Sequence, residues 1–135
     1  MVFNPSTVDY DAIHGLPVSS ILGTGAQILT DGSTSFEEIA FIAGDKALVV
    51  SVNQDTDEII LRVEHAPSFL TDNAAGWENC ELLREYIGRE LGWAWTAINC
   101  KGYADTLILS FAGIEPEVLL CGVASTIEFY KLHKL

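Results

Sequence analysis

Between residues 36 and 65 the chain carries three short apolar segments separated by tight-turn residues, and no other feature restricts the fold as much. Residues 36–43 are apolar at Phe36, Ile39, Phe41 and Ile42, and Gly44-Asp45-Lys46 then turns the chain. Residues 47–52 follow with Leu48, Val50 and Val52 on one side. Asn53-Gln54-Asp55-Thr56-Asp57 supplies side chains that bond their own backbone in turns. Residues 58–65 then alternate, with Ile59, Leu61 and Val63 opposed to Arg62 and Glu64. Strands in hairpin order form an antiparallel sheet; a parallel nucleotide-binding sheet would need helices between them.

The flanking segments extend this reading. Ser6 is placed to cap a short helical turn running to Asp11, with acids where a helix N-terminus prefers them. Residues 18–30 read as extended chain interrupted around Gly23 and Gly25. Residues 66–76, with Pro67, Asn73 and Gly76, read as a loop. Residues 77–91 are the best helix candidate, through an approximate stripe of Trp77, Leu83 and Ile87, with a bend at Gly88. A second meander follows over residues 91–100, 106–111 and 117–130, the last read as one strand with Leu119, Cys121, Val123, Ile127 and Phe129 on a shared face. The expected fold is therefore a single α+β domain spanning residues 1–135. It holds one antiparallel, strongly curved meander sheet or partly open barrel of six to seven strands, with one or two helices.

Composition narrows the class of function. The 135 residues hold 49% apolar side chains, enough for a packed core. Residues 1–6 have no basic flank and no long apolar region, and no apolar run approaches the roughly 20 residues of a membrane span. Nineteen acids oppose seven bases, a net charge of −12. Residues 1–76 hold eleven acids against two bases, so most of the excess sits there. A field of that sign repels nucleic acid and anionic membrane and steers basic partners inward. Cys80, Cys100 and Cys121 form no C-x-x-C pair, and Cys100 and Cys121 lie in strand-like segments where a thiol acts as a small hydrophobe. The expected compartment is the cytoplasm.

Catalytic signatures are sparse. Asn53, Asp55, Asp57 and Glu64 fall at positions 1, 3, 5 and 12 of a calcium loop. Glu58 nevertheless replaces the required glycine, and residues 59–64 alternate as a strand. No metal site and no cofactor are expected. Gly23-Thr24-Gly25 lacks the Gly-Lys-Ser/Thr ending of a phosphate loop. Glu37/Glu38 and Asp57/Glu58 are adjacent pairs that point to opposite faces of a strand and cannot easily share a proton. Among three scattered histidines, His65, at a strand end, is the one candidate for acid–base work.

The remaining candidate is the run from Gly92 to Asp105, which holds two of the three tryptophans. Trp93, Trp95 and Ala97 share one side of a strand, and Ala94, Thr96 and Ile98 the other. Either the indoles pack beneath the helix of residues 77–91, the default for large aromatics, or with Tyr103 they line a groove for a partner.

The segment Ile87-Gly88-Arg89-Glu90-Leu91-Gly92-Trp93-Ala94-Trp95, continuing through Asn99-Cys100-Lys101-Gly102-Tyr103-Ala104-Asp105 to Phe111, resembles an uncharacterised family of small bacterial domains of unknown function. Asp57-Glu58-Ile59-Ile60-Leu61 is similar to that family too, and the resemblance covers about residues 36–130. It implies no catalytic residues; by analogy alone, small acidic bacterial domains include immunity and antitoxin-like proteins. The function expected is a non-enzymatic interaction module that binds a basic protein or its own copy, through Trp93, Trp95, Tyr103 and His65. The alternative is a small-molecule-binding or enzymatic α+β barrel whose Trp/Tyr-lined pocket takes polarity from His65, Glu64 or Asp105.

Overall fold

The computed structural model of the chain describes residues 8–73 and 75–135. Ser6, expected to cap the first helical turn, lies outside the described residues. A 3-10 turn, Tyr10–Ala12, is described, capped by Asp9, whose carboxylate accepts from the Asp11 N–H at 3.2 Å. The elements that follow are β1 (Val18–Thr24), β2 (Gln27–Ile28), β3 (Thr34–Ser35), β4 (Glu38–Ala43), β5 (Lys46–Val52), β6 (Ile59–His65) and α1 (Ala66–Asp72). Then come β7 (Trp77–Asn79), a 3-10 segment over Glu81–Tyr86, β8 (Leu91–Ile98), β9 (Ala104–Phe111), β10 (Val118–Val123) and β11 (Thr126–Lys131).

The strands form a five-stranded sheet in the order β6-β5-β4-β1-β7, a four-stranded sheet in the order β11-β10-β9-β8, and a small β2-β3 hairpin, with antiparallel pairing throughout. The single curved sheet or partly open barrel of six to seven strands does not form. The cause lies in β4 and β5, which are apolar on both faces. Ile39, Phe41, Leu48 and Val50 pack against Leu107, Leu109, Phe111, Val118, Leu120 and Ile127 of the four-stranded sheet in one core. On the opposite face, Ala40, Ile42, Ala47 and Val49 are covered by Ala66 and Phe69 of α1. A sheet that is apolar on both sides needs two covers, and a lone sheet with a helix supplies one. The result is three layers: helix, sheet, sheet.

Three local expectations change with it. Residues 66–76 are not all loop: Pro67 sits in the first turn of α1, where its missing N–H has no intrahelical partner to lose. The α-helix expected over residues 77–91 is absent. Trp77 begins β7 and packs edge-on to Phe69, with ring centroids 5.1 Å apart. Beyond it Cys80, Leu83 and Tyr86 are the buried residues, at intervals of three, which is the 3-10 period rather than 3.6. Residues 117–130 are not one strand but the β10-β11 hairpin, turning at Ala124 and Ser125, both left-handed at φ 51° and 68°. That turn flips the pattern, so Leu119 and Cys121 face away from the core that Ile127 and Phe129 join.

Two short bridges lace the sheets together. Phe36 and Ile127 exchange both backbone hydrogen bonds, at 3.1 and 2.7 Å. The Leu91 N–H donates to the Leu16 carbonyl at 3.0 Å, beside a Pro17–Glu90 bridge. Cys80 is buried as a small hydrophobe, whereas Cys100 is exposed in the β8-β9 turn rather than lying within a strand. No helix among the described residues is long and apolar enough to cross a membrane.

Candidate interaction surface

The geometry around the tryptophans begins with a slip of register. Leu91 lies opposite Phe111, and Ala94 opposite Leu109, so three steps along β8 match two along β9. The extra residue is a β-bulge. Leu91 belongs to the core. Residues two apart share a face, so without the slip Trp93 and Trp95 would follow Leu91 inward. With it, Ala94 packs on the core instead and both indoles turn outward.

Specific side chains hold the bulge. Gly92 is required by close approach: a Cβ there would lie 2.5 Å from Ser110 Oγ and 2.7 Å from the Gly113 carbonyl oxygen. Ser110 is fully buried; its hydroxyl accepts from the Trp93 N–H at 2.6 Å and donates to the Gly113 carbonyl. The serine thus replaces the ladder partner that the bulge removes from Trp93. Tyr10 donates its hydroxyl to the Gly92 carbonyl at 3.0 Å, and burial raises its pKa, keeping the donor protonated.

The outcome overturns the default reading of the aromatic pair. Trp93 is 52% exposed and Trp95 half-buried, with ring centroids 6.3 Å apart and planes tilted by 35°. They cannot lie under a helix of residues 77–91, because that helix is absent. They sit on the outer face of the four-stranded sheet, which no described element covers. Trp95 pairs with Ile108, Ile108 with Leu119, and Leu119 with Tyr130, so one apolar row crosses all four strands. Ile108, Leu119 and Tyr130 were missed in the sequence. The available signal was the unbroken Leu107-Ile108-Leu109 triplet, apolar on both faces of its strand.

Acids border this face. One cleft of about 300 Å³ beside Trp93 is lined by Tyr10, Asp11 and His14. Another, of about 220 Å³, is lined by His14, Glu90 and Ile114 among others. At the far end of the row, the Tyr130 hydroxyl donates to Glu128 at 3.2 Å. The Glu128 charge, with burial and more distant Asp31, holds the Tyr130 phenol above its ordinary pKa. Nearby cations are already paired: Lys131 with Glu85, and Arg89 with Glu117 at 2.9 Å.

The other candidates do not converge here. Tyr103, 39% exposed, stands in the β8-β9 turn at the opposite end of β8 from Trp93. Asn99 shapes that turn, its side-chain oxygen accepting from the Lys101 and Tyr103 N–H groups at 2.8 and 3.2 Å. His65 closes β6 in the other sheet, with Nδ1 3.1 Å from the Ser68 hydroxyl. In the calcium-loop lookalike, Asn53 accepts from the Asp55 and Thr56 N–H groups. Asp57 accepts from the N–H groups of Ala124 and Ser125 at 3.2 and 2.8 Å. Two of its would-be ligands are thus engaged with backbone.

No curated protein and no solved structure matches the chain. A family model described as a family of unknown function (DUF6334) matches residues 1–135, and the chain belongs to that family.

Proposed function

We propose that this protein is a non-enzymatic interaction module of the bacterial cytoplasm that holds a basic protein partner against the outer face of the four-stranded sheet. Trp93 and Trp95 are the anchors. The observation that carries this reading is the bulge: a buried serine and an obligatory glycine hold two indoles out of a core that the register would otherwise take them into. Tryptophan is enriched among interface anchors, and half-exposed indoles have apolar area still to bury. The net charge of −12 favours a basic partner over a second copy, since two like fields repel. The analogy with immunity and antitoxin-like proteins is consistent with such a role.

The test is capture by the purified full-length protein, with cross-linking before washing, compared across wild type, Trp93→Ala and Trp95→Ala. Both variants are expected to stay folded by circular dichroism and to lose a stoichiometric partner that wild type also releases at high salt. Undiminished capture by both folded variants would overturn the reading.

A further inference from the structure

The four-stranded sheet has one face in the core and one that no described element covers, whereas the five-stranded sheet has both faces covered. On the five-stranded sheet the second cover is α1, which lays Ala66 and Phe69 across β4 and β5. The uncovered face offers the same kind of seat. Its apolar row, Trp95-Ile108-Leu119-Tyr130, runs across the strands and not along one of them. Neighbouring strands lie about 4.8 Å apart, so three steps span roughly 14 Å. A strand lying along β8 could touch only one member of such a row. A helix rising about 1.5 Å per residue covers it in about ten residues, with apolar side chains at intervals of three and four.

Charge fixes the chemistry of that helix. The outward positions of β8 to β11 include Glu128 and no lysine or arginine. Asp11 and Glu90 line the clefts at Trp93, and neither takes part in an ion pair among the described residues.

Resting on the interaction reading above, we infer that the partner docks as a basic amphipathic helix laid across the Trp95-Ile108-Leu119-Tyr130 row. Its apolar stripe meets the row and its lysines and arginines face Glu128 at one end and Asp11 and Glu90 at the other. The bound helix forms the fourth layer of the molecule, in the place that α1 takes on the opposite side.

The experiment titrates full-length protein with three synthetic 18-residue probes, reading tryptophan emission and peptide helicity. One probe is Leu/Lys with a 3.6-residue apolar period, one has the same composition with a period of two, and one is Leu/Glu with the helical period. The helical Leu/Lys probe is expected to saturate with a blue shift of emission and to gain helicity, at least tenfold tighter than either control. Leu119→Asp adds negative charge while breaking the row, so it separates row contact from bulk attraction. It is expected to weaken the helical probe at least tenfold, and Ile108→Ser gives the same loss without a charge change. Equal binding of the two Leu/Lys probes, binding untouched in both folded variants, or no saturable binding would each overturn the helix inference. The capture test fails or succeeds on Trp93 and Trp95 alone. Capture lost in Trp93→Ala but retained in Leu119→Asp therefore keeps the module and removes the helix.

Discussion

Ser110 and Gly92 together decide on which side of β8 the tryptophans lie, the serine by bonding the Trp93 backbone and the glycine by leaving room for Ser110 and Gly113. Removing the fully buried Ser110 hydroxyl leaves the part-buried Trp93 N–H without its 2.6 Å acceptor. Ser110→Ala is expected to cost about 1–3 kcal/mol, the usual penalty of an unsatisfied buried donor, measured by urea unfolding. A cost below a few tenths would show that the bulge does not depend on the serine. Cys80 gives a second check at this scale. Burial pushes its thiol up to about 11, whereas an unfolded thiol ionises near ~8.5. Burial therefore favours the native state fully below about pH 8.5, and that contribution is lost as pH rises through about 11. Wild type is expected to lose more stability than Cys80→Ala between pH 8 and 10.5 in parallel urea melts. Parallel losses would refute a buried, protonated thiol.

At the scale of elements, the β10-β11 hairpin shows why some of the fold could be read from the chain and some could not. The meander of β4, β5 and β6 was legible because its turns carry Gly44, Asp45, Asn53 and Asp57, residues that bend the chain by local means. Ala124 and Ser125 carry no such signal. Their left-handed backbone is supported by Asp57, 67 and 68 residues away, whose carboxylate accepts from both N–H groups. A turn held from that distance is invisible to any local reading, and so is the flip of face that turns the half-buried Leu119 away from the core. The bulge was hidden likewise, since Gly92 looks like any strand glycine until Ser110 and Gly113 stand against it. The period of three in Cys80, Leu83 and Tyr86 is present in the sequence, but the stripe of Trp77, Leu83 and Ile87 that crosses it resembles an imperfect α-helix. Asp57→Ala is expected to cost about 1–3 kcal/mol by leaving the hairpin turn without its acceptor. Ala124→Gly is expected to recover about 1 kcal/mol by relieving the left-handed strain. Thermal melts of the single and double variants check both. A destabilising Ala124→Gly would mean that the turn is not strained.

For the whole molecule, the surface charge on which the proposed function rests also opposes stability. A net −12 on 135 residues repels itself, and salt at 0.15 M screens beyond about 8 Å. The melting temperature is expected to rise between 20 and 300 mM NaCl in differential scanning calorimetry, while partner capture falls over the same range. A falling melting temperature would assign net stabilisation to the ion pairs instead. The order of β1 in its sheet has a consequence of another kind. β1 lies between β4 and β7, so its second neighbour in the sheet is Trp77–Asn79, and Cys80, Gly88 and Arg89 bond the rest of that edge. Until the ribosome has delivered that segment, the nascent chain carries β1 as an unfinished sheet border. Such borders pair readily with other strands. Chains growing side by side on one messenger are therefore most adhesive to each other midway through synthesis, before the last four strands, drawn from the contiguous stretch 91–131, close the core over them.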